Sequence, residues 1–446
     1  MKIYNGLADR MIRSALDMGA AEAEAFVLSS RNLLVEVKKD DIESLESSID
    51  HGYCIRVIKD GREGFSFSTD PRGIEECVNK AIAVSQWSDE DEHLGLPSDE
   101  KHSDVDTFDN KIEGLDEDAV TEMALSVERA ATGLDRRITK TRKTSVSTSY
   151  GDIIIKNSKG LEKRSSFSSI SSHIMVVAED RKDSQTGWDY QGCRYLADMD
   201  FERIGRTAAK RALQLLGAEK CSPAKAMVIL DSATSVEFLS ILASTLTAES
   251  VQKGKSLLEG RLGDRIASER IDIVDDGLID RYMGSRPFDA EGVPTRSKVP
   301  IEKGVLKGYL HNTYTAKKDG VSSTGNAVRS GFKSIPSVGI TNLFIRPSAG
   351  SSELPLTELI SSVDDGIFIT EAMGIHTANP ISGDFSVGVT GIWIKGGKLS
   401  NPVKEAVMSG NILDLYRNVE ACSDDLRFYG KIGSPSLLIR DLDISG

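Results

Sequence analysis

The pattern of secondary-structure signals changes at Cys221-Ser222-Pro223, and this change constrains the fold more than any other feature of the sequence. Before it, amphipathic helical segments are separated by long extended runs. After it, Gly and Ser become frequent and the apolar runs become short. A proline interrupts both helices and central strands. We therefore predict two domains, residues 1–220 and residues 221–446, which suits a length that exceeds one ordinary hydrophobic core.

The first half combines helical and extended segments. Asp116 and Asp200 each precede an apolar run with helical periodicity, and both side chains are suited to N-cap a helix. Two further helices are predicted from about Leu7 to Leu16 and from Gly73 to Trp87. Extended runs lie at Tyr53–Ile58, before the hairpin signal Asp60-Gly61, and between Thr144 and Tyr195. The first half is therefore predicted to be α+β, with helices packed on a mainly antiparallel sheet.

The second half is predicted to be rich in β-structure. A strand from Ala226 to Leu230 and an apolar helix from about Ser235 to Leu246 are followed by many short strands. Two of these are predicted at Gly304–Tyr309 and Val338–Ile345. Many short strands with regular turns favour a strongly curved or barrel-like antiparallel sheet.

Charge and hydropathy exclude several classes of protein. The formal net charge is −13 and Lys and Arg are not clustered, so direct binding of nucleic acid is disfavoured. No segment approaches the roughly 18 consecutive apolar residues of a membrane span. The N-terminus lacks the apolar run of a signal peptide. We therefore expect a soluble, cytoplasmic protein without membrane contact.

The chain lacks the common motifs of a metal site. Its five cysteines form no C-x-x-C pair, and no two of its six histidines lie within five residues of each other. A helical zinc site needs two imidazoles one turn apart, because only then can both reach one ion. No catalytic residue and no metal ligand is predicted, although a site assembled from distant histidines stays open. Nucleophile-elbow and phosphate-loop motifs are also absent.

Three segments of the second half carry a resemblance to a known family. Residues 254–263 read G-K-S-L-L-E-G-R-L-G, residues 289–295 read D-A-E-G-V-P-T, and residues 379–388 read N-P-I-S-G-D-F-S-V-G. In this order the chain resembles the TldD/PmbA family, also described as modulators of DNA gyrase. The N-terminal half resembles the family more loosely.

The resemblance implies a pair of homologous subunits that together form a zinc metalloprotease. The TldD-type subunit carries H-E-x-x-x-H on the helix before the 254–263 run, and a cysteine near the C-terminus completes its zinc site. Here the corresponding window, about Val236 to Glu249, contains no histidine, and Ser434 lies close to the expected cysteine. The chain therefore resembles the PmbA, or TldE-type, subunit. No cofactor is expected in this chain, and the zinc is expected in a TldD-type partner.

Six residues in the recognisable segments are candidates for binding a peptide: Glu291, Gly292, His376, Asn379, Gly383 and Asp384. The functional hypothesis is that their loops line a groove in which a peptide adds a strand through main-chain hydrogen bonds. The structural alternative is that the glycines permit turns which Asn379 and Asp384 cap or bridge. Glu237 could imitate a catalytic glutamate, but it is interpreted as a helix-surface residue because no imidazole flanks it.

Three functional hypotheses follow. The first is a metal-free subunit of a two-component metalloprotease that processes small peptides or unfolded proteins with a TldD-type partner. The second is a non-catalytic peptide-binding or scaffold homodimer, and the third is a hydrolase with its own unrecognised site. In isolation the chain is expected to form a homodimer, because homologous subunits allow a two-fold self-contact to imitate the contact between them.

Overall fold

The first half of the chain forms one antiparallel sheet. The computed structural model describes residues 6–181, 183–220 and 224–446. Its first six strands, in sequence order, are β1 (Glu22–Lys38), β2 (Asp41–Lys59), β3 (Arg62–Ser68), β4 (Ile138–Asn157), β5 (Glu162–Asp180) and β6 (Asp183–Cys193). They pair in the order β3-β2-β1-β4-β5-β6. All five pairings are antiparallel, which confirms the predicted architecture.

Helices cover one face of this sheet. They are α1 (Leu7–Asp17), α2 (Ile74–Ser85), α3 (Asn110–Glu113), α4 (Glu117–Thr132) and α5 (Phe201–Gln214). Asp116 and Asp200 N-cap α4 and α5 as predicted, by accepting from the backbone N–H groups of Ala119 and Arg203. Asp60 and Gly61 both have positive φ in the turn between β2 and β3, as the predicted hairpin requires.

The opposite face of the sheet packs against the second half. Because side chains alternate between the two faces of a strand, Ala25 and Val27 face the helices while Phe26 faces away from them. Phe26 shares a buried cluster with Phe288 and Phe332 of the second half. The contact between the halves is therefore apolar around Phe26.

The second half contains the remaining elements. Its strands are β7 (Glu219–Lys220), β8 (Ala224–Leu230), β9 (Ile271–Asp276), β10 (Ser297–Glu302), β11 (Val305–Leu306), β12 (Ala327–Val328), β13 (Ser337–Val338), β14 (Leu343–Pro347), β15 (Glu353–Leu354), β16 (Asp365–Met373), β17 (Asp384–Lys395), β18 (Lys398–Asn411), β19 (Val419–Ser423), β20 (Arg427–Tyr429), β21 (Ile432–Ser434) and β22 (Leu437–Ser445). Its helices are α6 (Ser232–Thr245), α7 (Ala248–Gln252), α8 (Thr313–Asp319), α9 (Leu356–Ser361) and α10 (Ile412–Arg417).

Five of these strands close into a barrel. The order β22-β8-β16-β17-β18 is completed by pairing of β18 with β22. The predicted barrel-like sheet is confirmed, with one difference: β8 and β16 pair in parallel, while the other pairings are antiparallel. A second sheet has the order β11-β10-β9-β14-β21-β20. Apolar side chains of α6, such as Phe238, share one buried core with inward-facing barrel residues such as Val387.

Two strand predictions need correction. The segment Val338–Ile345 contains two strands, β13 and β14, because Asp275 accepts hydrogen bonds from the backbone N–H and hydroxyl of Thr341 and so fixes a loop between them. The segment Gly304–Tyr309 is extended only at β11. The predicted boundary at Cys221-Ser222-Pro223 lies outside the described residues, so the division into residues 1–220 and 221–446 stays a prediction. Within the described ranges, no helix is long and apolar enough to cross a membrane.

Candidate functional site

The structure brings together the two segments in which the resemblance implies zinc ligands. Helix α6 packs against β20 and β21, although many elements separate them in the sequence. Ser434 ends β21 and is fully buried, and its hydroxyl donates to the carbonyl of Pro435 at 2.9 Å. The window on α6 and the window near the C-terminus therefore face one junction, here called the α6–β21 junction.

The residue types at this junction do not fit a zinc ion. Helix α6 offers mainly aliphatic, aromatic and hydroxyl side chains, such as Phe238, Leu239 and Ser240, which are poor zinc ligands. Ser434 supplies a hydroxyl that is already hydrogen-bonded. Across residues 6–181, 183–220 and 224–446, no three His, Cys, Asp or Glu side chains are placed to hold one metal ion.

A group of charged side chains occupies the start of α6 instead. We call Arg211, Asp231, Glu237 and Glu371 the acidic cluster. Asp231 N-caps α6 by accepting from the Thr234 N–H at 2.7 Å, and its other oxygen accepts from Arg211 Nη2 at 2.6 Å. Glu371 follows a β-bulge at Thr370 in β16, and such an extra residue re-aims the side chains beside it.

The acidic cluster holds more negative than positive charge. Burial, together with the charges of the neighbouring Asp231 and Glu371, raises the pKa of Glu237 to about 7 against the opposing effect of Arg211. Burial also raises the pKa of Asp231 and of Glu371. One carboxylate oxygen of Glu237, Oε2, is enclosed without a hydrogen-bond partner in the described chain. A carboxyl group with a pKa near 7 can accept or donate a proton near neutral pH.

Glu237 is therefore not the helix-surface residue that the sequence suggested. It lies partly buried between Asp231 and Glu371. The interpretation failed because α6 is apolar on most of its circumference, so no solvent-facing side could be identified from periodicity.

Aromatic side chains connect the acidic cluster to the first half of the chain. The Arg211 guanidinium lies over the ring of Trp188 in β6, 5.4 Å from its centroid. Trp188 in turn meets Tyr429 of β20 edge to face at 5.9 Å between ring centroids. Asp189 beside it is fully buried and pairs with Arg427 at 2.8 Å. The cluster therefore lies where the two halves of the chain meet.

Four of the six predicted peptide-binding residues lie together between β16 and β17. His376 belongs to an exposed 3₁₀ turn, Ile375–Thr377. The Asn379 N–H donates to the Asp384 carbonyl at 2.9 Å, and the Gly383 N–H donates to the Asn379 carbonyl at 2.8 Å. Gly383 has φ +84 and closes this turn. Asn379 and Asp384 thus have the bridging role of the structural alternative, while the loop stays open to solvent.

The other two predicted residues lie elsewhere. Glu291 is fully buried: its Oε1 accepts from Arg56 Nη2 at 3.0 Å and its Oε2 accepts from the Thr313 N–H at 2.8 Å. Gly292 has φ +85 and is covered by Leu161. In the part of the chain that the structure describes, no hydrogen bond or ion pair joins Glu291 to the 376–384 loop. The peptide-binding role of all six residues stays a prediction.

Sequence reasoning missed most of the acidic cluster. Asp231 was not identified, because the predicted helix began at about Ser235, although a carboxylate before an apolar helix is an N-cap signal. Arg211 and Glu371 carried no signal, because each belongs to a different element and only the packing of α5 and β16 against α6 brings them together. A sequence motif could not have connected them.

Comparison with known proteins agrees with this architecture. The model of the PmbA/TldA metallopeptidase C-terminal domain matches residues 223–446, that of the central domain matches residues 110–216, and that of domain 1 matches residues 23–85. Metalloprotease PmbA of Escherichia coli is 28% identical over 450 residues, covering 99% of this chain and 96% of that protein.

Solved structures have the same fold. The crystal structure of a protein from Thermotoga maritima described as a modulator of a DNA gyrase has a TM-score of 0.92 and 28% identity, covering 99% of this chain and 100% of that one. TldE of Thermococcus kodakarensis, with a TM-score of 0.90 and 22% identity over 99% of this chain and 100% of its own, shares the fold.

Proposed function

The chain belongs to the PmbA/TldD family, and we propose that it is the metal-free subunit of a two-component metallopeptidase complex whose zinc lies in a TldD-type partner. The observation that carries this proposal is the α6–β21 junction. Helix α6 packs against β20 and β21 there, yet the residue types of the described chain at this junction do not fit zinc, and a charged cluster with Glu237 occupies the start of α6.

The proposed substrates are small peptides or unfolded proteins, in keeping with the metalloprotease names of the relatives. The 376–384 loop supports a peptide-binding contribution from this chain. It is exposed at the end of two barrel strands, and Ile381 within it is 55% exposed. An extended peptide could follow such an edge through main-chain hydrogen bonds.

One edge of the first sheet is the proposed contact with a partner subunit. Strand β3 pairs with β2 only from Tyr53 onward, so residues 41–50 of β2 have a single neighbouring strand, β1, in the described chain. Three large aliphatic side chains of this stretch, Ile42, Leu45 and Ile49, are 48%, 38% and 63% exposed. Exposed strand edges with apolar side chains are sites of chain association.

The test is co-purification with a TldD-type subunit, followed by peptide-cleavage assays on each subunit alone and on the mixture. We expect this chain to be inactive alone and to contain much less than one zinc per chain by elemental analysis. The mixture should cleave peptides and differ from the TldD-type subunit alone in rate or specificity. A mixture indistinguishable from that subunit would instead favour the peptide-binding or scaffold homodimer.

A self-sufficient enzyme would give a different result. The described histidines of the second half, His311 and His376, lie on separate elements, and His311 is buried whereas His376 is exposed. Stoichiometric zinc that is lost on substituting either histidine would reject the proposed subunit assignment. Peptidase activity of this chain alone would favour a hydrolase with its own site.

A further inference from the structure

A cavity of about 430 Å³ lies between the first sheet and the second half of the chain, away from the acidic cluster. Its floor is the sheet face that carries no helices, where Phe26, Leu28, Ile153, Ile155 and Phe167 provide an apolar surface. Its roof is the segment 283–290. A cavity of this volume is in the range that holds a small molecule or a few residues of a peptide.

Besides Arg329, which pairs with Glu24, three cations reach this cavity from different elements. Arg194 follows β6, Arg286 belongs to the roof, and Lys431 lies in the turn between β20 and β21. None of the three forms an ion pair with any residue that the structure describes. Burial and the two arginines lower the pKa of Lys431 to about 8, and burial and Arg286 lower the pKa of Arg194 to about 10. These mutually repelling cations are concentrated in a chain of net charge −13.

Arg194 and Arg286 differ in how their donors are used. Arg194 Nη1 donates to the Ser168 carbonyl at 3.0 Å and its Nη2 to the Met283 carbonyl at 2.9 Å, which ties the roof to the sheet. No guanidinium nitrogen of Arg286 donates to a described residue, and its Nε and Nη2 are enclosed without a partner. Burial lowers the pKa of Arg286 as well. A guanidinium without hydrogen bonds is costly, so its retention indicates a ligand.

The carboxylate on the cavity lining, Asp289, attracts Arg286 electrostatically, but within the described chain it forms no hydrogen bond or ion pair with any of these three cations. Asp289 is 1% exposed, and its oxygens accept from three backbone N–H groups, those of Glu291, Val293 and Ala327. These cations therefore require an anion that comes from outside the chain. Planar guanidinium groups match carboxylates, and the apolar floor beneath matches an aliphatic or aromatic body.

We propose that this cavity binds a carboxylate carried on an apolar body, with Arg286 and Lys431 as its counter-ions. The carboxylate could be the C-terminus of a peptide with an apolar last side chain or the head of a medium-chain fatty acid. Both sources share the same chemistry. The proposal concerns binding by this chain alone and does not depend on the proposed protease complex.

The test is isothermal titration calorimetry of the full chain with matched charged and neutral probes. N-acetyl-phenylalanine is compared with its amide to represent a peptide terminus, and octanoate is compared with octanamide to represent a fatty acid. We expect at least one acid to bind about tenfold to hundredfold more tightly than its amide. The acid that binds more tightly shows whether the ligand is a peptide C-terminus or a fatty acid. Equal binding of acid and amide in both pairs, or no binding at millimolar concentration, overturns the proposal.

Proton uptake provides a second readout. A bound anion raises the pKa of Lys431, so binding at pH 8 should take up about half a proton, as buffers of different ionisation enthalpy reveal. Lys431→Gln should remove most of this uptake, and the small remainder comes from Asp289 on the cavity lining, whose pKa is raised by burial and by Glu291. The control Lys398→Gln changes an exposed lysine at the start of β18 that forms no ion pair with described residues, and it should leave the uptake unchanged. Uptake in Lys431→Gln as large as in the unsubstituted chain would contradict the assignment.

Arg286→Met separates a binding role from a structural one. Because the guanidinium has no hydrogen-bond partner in the described chain, the variant should keep or gain thermal stability. The ratio of its affinities for acid and amide should fall about tenfold. Lower stability with an unchanged preference would assign Arg286 a structural role and overturn the proposal. Lys431 lies in a turn and remains accessible to solvent, even though partial enclosure lowers its pKa, so its variant tests binding even if Arg286→Met fails to fold.

Discussion

Glu237 shows how a single residue can couple the fold to pH. Its pKa rises from an ordinary value of 4.5 to about 7 in the folded chain, because burial and nearby carboxylates disfavour its charge. A group with a raised pKa binds its proton more tightly when folded, so its contribution to stability is greatest at acidic pH. That contribution falls as the pH rises from 4.5 to about 7 and is constant above it.

Glu237→Gln should therefore stabilise the chain at pH 8 and leave its stability at pH 4.5 nearly unchanged. The amide keeps the shape of the side chain and removes a charge whose burial costs up to about 3 kcal/mol at high pH. Denaturant unfolding at the two pH values measures the effect. A variant that is equally destabilised at both would show that Glu237 acts through its contacts rather than through its charge.

Glu249→Gln on the neighbouring helix α7 is the matched control. Burial opposes its charge, but the Lys253 ammonium at 2.6 Å and the Val338 N–H at 3.1 Å together lower the pKa of Glu249. A lowered pKa contributes stability above the unfolded value, and that contribution is lost as the pH falls. Glu249→Gln should thus be destabilising at pH 8 and nearly neutral at acidic pH, the opposite sign to Glu237→Gln.

At the scale of elements, a buried ion network attaches the first sheet to the second half. Arg56 of β2 donates from Nη2 to Glu24 of β1 and to Glu291, each at 3.0 Å. Arg329 also pairs with Glu24. Arg56, Glu24 and Glu291 are at most 7% exposed in their side chains. Because Glu291 also accepts from the Thr313 N–H, the network fixes the start of α8 as well.

Arg56→Met should destabilise the chain by about 3–5 kcal/mol, since it leaves the buried Glu291 without a counter-ion in the described chain and Glu24 with Arg329 alone. Denaturant unfolding measures the loss. The control is Arg72→Met, which breaks an ion pair with Asp70 in which the arginine side chain is 89% exposed, and it should have no measurable effect. If Arg56→Met lowered the free energy of unfolding no more than the control does, the network would not hold the two halves together.

At the scale of the whole molecule, the exposed residues 41–50 of β2 predict that the chain associates with a second subunit. The double variant Leu45→Lys, Ile49→Lys places charges on a strand edge, which opposes edge-to-edge pairing. We expect it to weaken the homodimer, or the contact with a TldD-type partner, in light scattering at micromolar concentration. Leu16→Lys with Val84→Lys changes two other exposed aliphatic side chains, on α1 and α2, and should leave association unchanged. A strictly monomeric wild-type chain would contradict the prediction of a homodimer.

The sequence by itself determined the class of fold and the local elements. Asp116 and Asp200 identified helix starts, and Asp60-Gly61 identified a hairpin, because caps and tight turns depend on neighbouring residues. The ordered motifs at residues 254–263, 289–295 and 379–388 identified the family. These features are local, or are preserved as strings of residues, so they can be recognised without coordinates.

The tertiary structure alone decided which side chains meet. It placed Glu291 in a buried ion network, apart from the loop that contains His376 and Asp384. It turned Glu237 toward other carboxylates, and it brought Arg286 and Lys431 to one cavity. Burial and charge pairing depend on how distant elements pack, and the pKa of a carboxyl group depends on both. No spacing along the chain encodes these contacts, because strands and helices from both halves must close on each other first.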